Sequence, residues 1–253
     1  MSKSYGYDVT DTALVERMIR VTPTADRPST SPKSPRSAGR PPVPLERIIA
    51  TALELLDEEG AGALSLRSLA QRLGSGTATL YRHFESRTDL VAAVVDRIIG
   101  EVELDPALFE SVNWRQACEA VATAMFEVLC RHRNAAPLLA EHIPIGENAL
   151  RLRERGLAVL LAAGFGPRDA VTAYATVARH VIGFALQLGR DSTAERAEAD
   201  HVSALIHRLD PTLFPATIAV ADSMPVPLEE EFAFGLQLIL AGLAQRREGR
   251  LTS

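Results

Sequence analysis

The sequence predicts an all-α protein: an N-terminal three-helix head carrying a helix-turn-helix, joined to a longer helical second domain. Three observations carry the fold class. Apolar residues recur at i, i+3, i+4, i+7 through most of residues 45–247, and no stretch keeps the period-two alternation of a strand. Ala and Leu abound while aromatics make up only 5%, which favours helix over strand on propensity. Residues 65–87 read as two short helices broken at Gly74-Ser75-Gly76, with aliphatic residues facing inward and Arg, Thr, Tyr and His left outward. That is the pattern by which a short second helix enters the major groove of DNA.

The elements follow in order. Residues 1–43 form an arm rich in Pro, Ser, Thr and Arg, too poor in apolar surface to offset its ordering entropy, and disorder is expected there. Arg27, Lys33, Arg36 and Arg40 make it basic. It reads either as an arm following the DNA backbone or minor groove, or as a solvated tail or the product of a mis-assigned start. Residues 44–101 make the head. Leu45, Ile48, Ile49, Ala52, Leu53 and Leu56 line one face of a first helix, which Gly60 and Gly62 end. Ser65 caps the second helix and Gly74 closes it; a third runs over residues 77–84, anchored by Leu80 and Phe84. Ser86 and Asp89 form a capping box that starts a fourth, strongly apolar helix ending near Glu101.

Residues 102–247 make the second domain, followed by a tail over 248–253. Helices are expected over 114–132, 137–141, 147–163 and 168–188, with Gly164 and Pro167 punctuating the last two. A polar stretch with a helical piece near 194–208 and a turn near 216–221 precedes a final helix over 229–247. Its acids lie at the N-terminal end and Arg246 and Arg247 at the other, complementing the helix dipole.

Composition narrows the function. A net charge of -5 argues against non-specific coating of nucleic acid, so any DNA contact comes from a local basic patch. Cys118 and Cys130 are too few for a disulfide scaffold or a zinc site, which points to a reducing cytoplasm, and they read as buried small apolar residues. No run of about eighteen apolar residues and no leader pattern appears, so no membrane association is expected. No phosphate-binding Gly loop, paired metal motif or nucleophile–base set is present, and His201 and His207 lack the i, i+4 spacing of a metal helix. Neither an enzyme, a metal nor a cofactor is expected.

Leu69-Ala-Gln-Arg-Leu-Gly74, Thr79-Leu-Tyr-Arg-His-Phe84 and Arg87-Thr-Asp-Leu90, as an ordered set, resemble the DNA-binding head of the TetR family of transcriptional regulators. Far along the chain, Glu230-Glu-Phe-Ala-Phe-Gly-Leu-Gln-Leu-Ile-Leu-Ala-Gly-Leu243 resembles the last helix of a tetracycline-repressor-type C-terminal domain. Trp114 and Gly164-Phe165 fall where that subgroup carries such residues. The resemblance implies a homodimer built on a four-helix bundle from the helices near 168–188 and 229–247. Small residues there (Ala178, Gly183, Ala185; Ala233, Gly235, Ala241, Gly242) permit close approach or simply pack an internal core. It also implies a near-palindromic double-stranded operator read in successive major grooves, about 34–36 Å apart.

On the third helix, Thr77, Ala78 and Thr79 are placed to approach base edges, and Arg82 to take both guanine acceptors. Tyr81, His83, Arg87 and, on the second helix, Arg67 suit phosphate contacts. The competing readings are that Tyr81 packs on the first helix and Arg87 merely favours solvent. The resemblance further implies a small-molecule effector in the second domain, with Trp114, Met125, His142, Asn148, Tyr174, Arg179 and His180 as candidate contacts. Tetracycline-binding relatives bridge drug and protein through a divalent metal. Here Glu101 and Glu103 replace His, Leu139 stands at an expected ligand, and Val121 and Met125 replace drug-contacting Asn and Phe, so that chelate is not expected. The expected function is a repressor released from its operator by a small apolar effector; the alternative is a ligandless DNA-binding regulator acting through a protein partner.

Overall fold

A computed structural model describes residues 43–110, 113–141, 143–188 and 192–251. The described residues form helices and turns, with no strand among them. The arm expected over 1–43 lies, apart from Val43, outside the described residues.

The head begins with α1 (Leu45–Glu59), which buries Ile48, Ala52, Leu55 and Leu56. A 3-10 turn (Ala61–Ala63) leads to α2 (Leu66–Arg72), where the Ser65 hydroxyl accepts the Ser68 amide at 3.1 Å. Gly74 takes φ 58°, a left-handed geometry that a side chain would strain, and so turns the chain within two residues. Then comes α3 (Thr77–Leu80), a single turn extended by Phe84 N–H donating to the Leu80 carbonyl at 2.9 Å. The helix expected over 77–84 is therefore one α-turn followed by a tightened exit. Arg72 pairs with Glu58 and Glu59, tying α2 to α1. The capping box is present: Ser86 accepts the Asp89 amide, and Asp89 accepts the amides of Ser86 and Glu85 at 3.0 Å. It opens α4 (Arg87–Ile99), whose Leu90, Val91, Val94, Val95, Ile98 and Ile99 are buried.

The second part contains α5 (Ala107–Glu110), α6 (Trp114–Arg131), α7 (Ala136–Glu141), α8 (Glu147–Ala162) and α9 (Pro167–Ala185). After these come α10 (Ser192–Ile206), α11 (Pro215–Ala219), a 3-10 turn (Ala221–Ser223) and α12 (Leu228–Leu251). The short α5 was not expected; the Asp105 carboxylate starts it by accepting the Ala107 amide at 2.9 Å. The last helix continues past Arg247, through most of the expected tail, to Leu251.

Helix α6 is the central post, packing on α4, α8, α9 and α12. Phe126 of α6 stacks on Phe232 of α12, ring centroids 4.1 Å apart, and His180 and Phe184 of α9 close the cluster. Helix α4 leaves the head and packs on α6, α7 and α8. It is fastened there by Asp96, whose two carboxylate oxygens accept the amides of Ala149 (3.0 Å) and Asn148 (3.3 Å). The carboxylate thus caps the N-terminus of another helix, satisfying orphan amides at its positive end. Gly146 permits this, because a Cβ there would lie 2.2 Å from the Asp96 carboxyl carbon.

Candidate nucleic-acid interface and regulatory domain

The shortness of α3 decides what it presents. Leu80 and Phe84 are buried and fix the turn on the head's core. Thr77, Ala78, Tyr81, Arg82 and His83 all face solvent, and Thr79 is half-buried. Tyr81 is 58% exposed, so its ring does not pack on α1. Arg67 is exposed on the neighbouring α2. The structure therefore brings Thr77, Ala78, Tyr81, Arg82 and His83 together on one outward surface, with hydroxyl, guanidinium and imidazole groups available to bases and phosphates.

Arg87 behaves differently. Its Nε donates to the Leu64 carbonyl at 2.8 Å and its Nη2 to the Ala61 carbonyl at 2.9 Å. The guanidinium spans the α1–α2 connection and braces it against the start of α4. Neither solvation nor a phosphate describes this part of its role.

The candidate effector contacts do not converge. His142 lies outside the described residues. Trp114 is buried edge-on against Phe165 (5.0 Å between centroids), with the Arg247 guanidinium 5.8 Å above its ring. Met125 belongs to the packed core. Asn148 donates through Nδ2 to the Asp96 carbonyl at 3.1 Å, joining α8 to α4. Tyr174 is half-buried; burial pushes its phenol up, against the opposing influence of Arg153. Arg179 is exposed and leans on the Ala175 carbonyl, and His180 Nε2 meets the Phe232 carbonyl at 3.0 Å. Two open concavities mark the body. One, of about 460 Å³, lies along α8 at Leu150, Arg153, Glu154 and Leu157. The other, of about 600 Å³, is walled by charged residues including Arg97, Glu103, Glu127 and Arg131. Neither is a closed apolar chamber.

Sequence reasoning missed the joint between head and body. His132, at the end of α6, contacts Asp57 of α1 and Glu101 beyond α4, while Asn134 donates to the Leu56 and Asp57 carbonyls at 3.1 and 3.0 Å. Burial pushes the Asp57 carboxyl above its ordinary value, and His132 opposes this only in part. Glu101 is also partly buried, but His132, Arg97 and Arg131 outweigh that and hold it below. Helical periodicity gives no hint of such contacts between distant residues. The Cys118 thiol is pushed up to about 11 by burial, in keeping with a small packed residue.

The outward row on a one-turn helix, set on a braced three-helix head, defines a helix-turn-helix DNA-binding protein with a helical second domain. Residues 48–94 match the family model described as bacterial regulatory proteins, tetR family, and residues 105–247 the tetracyclin repressor-like C-terminal domain. The chain belongs to the TetR family. It is a DNA-binding transcriptional regulator and not an enzyme. The HTH-type transcriptional repressor DrrR1 of Streptomyces coeruleorubidus is 30% identical over 236 residues, 88% of this chain and 84% of that protein. The class A tetracycline repressor from transposon 1721 of Escherichia coli is 30% identical, covering 79% of this chain and 90% of its own. Among solved structures, apo ActR from Streptomyces coelicolor superposes with TM-score 0.72 at 28% identity, covering 84% of this chain and all of that one. ActR in complex with actinorhodin gives 0.71 at 29% identity, with 81% and 99% covered. Among the described residues no helix is long and apolar enough to cross a membrane.

Proposed function

We propose that the protein is a cytoplasmic homodimeric repressor that reads a near-palindromic operator through residues 77–87 and leaves it when a small apolar effector occupies residues 102–247. The observation that carries the DNA half is the exposed set on α3 and the turn that follows it, with Arg82 open to present a guanidinium to a base edge. Outward apolar residues on α9 and α12 support the dimer. The effector half draws on ActR, whose solved complexes with actinorhodin and (S)-DNPA show that one similar protein holds small molecules. A ligand must bind one arrangement of the two heads better than the other to release the operator.

Selection from a random duplex pool tests the DNA reading. It should return two inverted half-sites about one helical turn apart. Arg82→Ala should cost about 1–3 kcal/mol on that duplex and relax preference at one base pair. An equal loss on every sequence would make Arg82 a phosphate contact.

The second reading, a regulator without a small ligand acting through a protein partner, is favoured by one observation. The six described candidate contacts are divided among packing, helix-joining and exposed roles, and neither concavity is a closed apolar chamber. Actinorhodin added to the operator complex separates the two: release with a raised melting temperature supports the effector reading. Unchanged binding and melting across actinorhodin, (S)-DNPA and minocycline favours the partner reading.

A further inference from the structure

His132 caps the C-terminal end of α6 and is 9% exposed. Its Nδ1 lies 2.9 and 3.1 Å from the two oxygens of Asp57, and its Nε2 lies 2.9 Å from Glu101 Oε2. These three residues belong to three parts of the molecule. Asp57 is in the last turn of the head's first helix, Glu101 follows the helix that leaves the head, and His132 ends the central post of the body. Neutral imidazole donates from one nitrogen only; facing a carboxylate with each requires both to donate. The C-terminal ends of α1 and α6 both meet at this ring, and the negative end of a helix dipole favours a cation.

The two halves of the bridge are unequal. Glu101 is also paired with Arg97 at 3.2 Å and Arg131 at 3.7 Å, so two guanidinium groups hold it besides the His132 ring. Asp57 is paired with His132, lies near the like charges of Glu58 and Glu101, and is raised by burial. Asn134 adds neutral hydrogen bonds to the α1 carbonyls beside it. The Glu101 half therefore stays with the body, and the Asp57 half is the weaker link to the head.

We propose that His132 is a positioning residue for DNA recognition: as an imidazolium bridging Asp57 and Glu101 it fixes the reading head on the body, and the Asp57 contact is the one that opens when the head turns. The proposal rests on the two-half-site reading above, because head orientation matters only where two heads must meet one duplex.

The test uses the full chain on two duplexes, the selected full site and a single half-site. His132→Gln should lower full-site affinity about 5–150-fold, the range of a typical coupling between sites, and leave half-site affinity within about twofold. Asp57→Asn should act in the same direction, and it carries the test if the His132 variant fails to fold. Nitrogen NMR of the wild type at neutral pH should show both His132 ring nitrogens protonated. Full-site binding unchanged in both variants, an equal fall on both duplexes, or a singly protonated ring would each overturn the proposal. If the wild type binds the two duplexes alike, the two-half-site reading fails instead. His132 is then judged by the ring spectrum and by amide exchange in the last turn of α1, which should quicken at least tenfold in His132→Gln; an unchanged rate would overturn it.

Discussion

Arg87 shows how a residue chosen for its charge can owe its identity to its shape. Its two bonds run to the carbonyls of Leu64 and Ala61, the latter held only by a long 3.4 Å bond from the Leu64 amide. A guanidinium holds two donors in a fixed fork, whereas an ammonium is a point charge on a flexible stem. Arg87→Lys keeps the charge available to a phosphate but cannot reproduce the fork. It should destabilise the free protein by about 1–3 kcal/mol, as expected for lost hydrogen bonds from a charged donor to partly buried acceptors. Urea unfolding of the DNA-free chain measures this, and a midpoint unchanged from the wild type would show that the brace contributes nothing. The same fork explains why Tyr81, Arg82 and His83 remain free to face outward: with the α1–α2 connection braced from behind, the short α3 needs only Leu80 and Phe84 to hold it.

At the scale of elements, the local features were legible and the long-range ones were not. Ser65, the Ser86–Asp89 box, Gly74 and Pro167 each act within one turn of where they stand, so reading them in order recovers α1, α2 and α4 and the bounds of α6, α8 and α9 closely, while α3 stops at Leu80. Asn148 reads in the sequence as a polar group in an apolar domain; its bond to Asp96, 52 positions away in the chain, is invisible to local pattern. His132 went unremarked for the same reason. The joint also predicts opposed acid responses. Glu101 is held below its ordinary value of 4.5, so its contribution is present above that value and is lost as pH falls through the lower folded one. Asp57 is raised above 3.8, so its contribution is present below that value and is lost as pH rises through the folded one. Between about pH 3 and 6, Glu101→Gln should therefore lose melting temperature relative to wild type as pH rises, while Asp57→Asn gains. Calorimetry across that range checks it, and parallel curves for the two variants would contradict the assignment.

The whole molecule is organised around one helix with two uses. Helix α12 turns Phe232, Leu236 and Leu240 into the core, and these are almost fully buried. Phe234 and Leu238, two positions on, are 68% and 59% exposed, and Val171 of α9 and Leu186 just past its end are exposed too. A helix apolar on both faces belongs inside something larger than its own chain. The small residues divide along the same line. Ala185 is buried and a Cβ at Gly235 would meet His180 at 2.7 Å, so these two pack inside the chain, whereas Gly183 and Gly242 are exposed and open to a second copy. Two-fold symmetry counts each contact twice, so removing Phe234 from a dimer interface should cost about 3–6 kcal/mol, twice the value of burying one such side chain. Phe234→Asp leaves the folded monomer intact, because the side chain makes no part of the core, and should raise the dimer dissociation constant at least about a hundredfold. Sedimentation equilibrium should then show monomer where the wild type is dimer, and full-site operator affinity should fall to that of one head on one half-site. A Phe234→Asp protein that still sediments as a dimer would place the interface on another face and remove the basis for two heads at a fixed spacing.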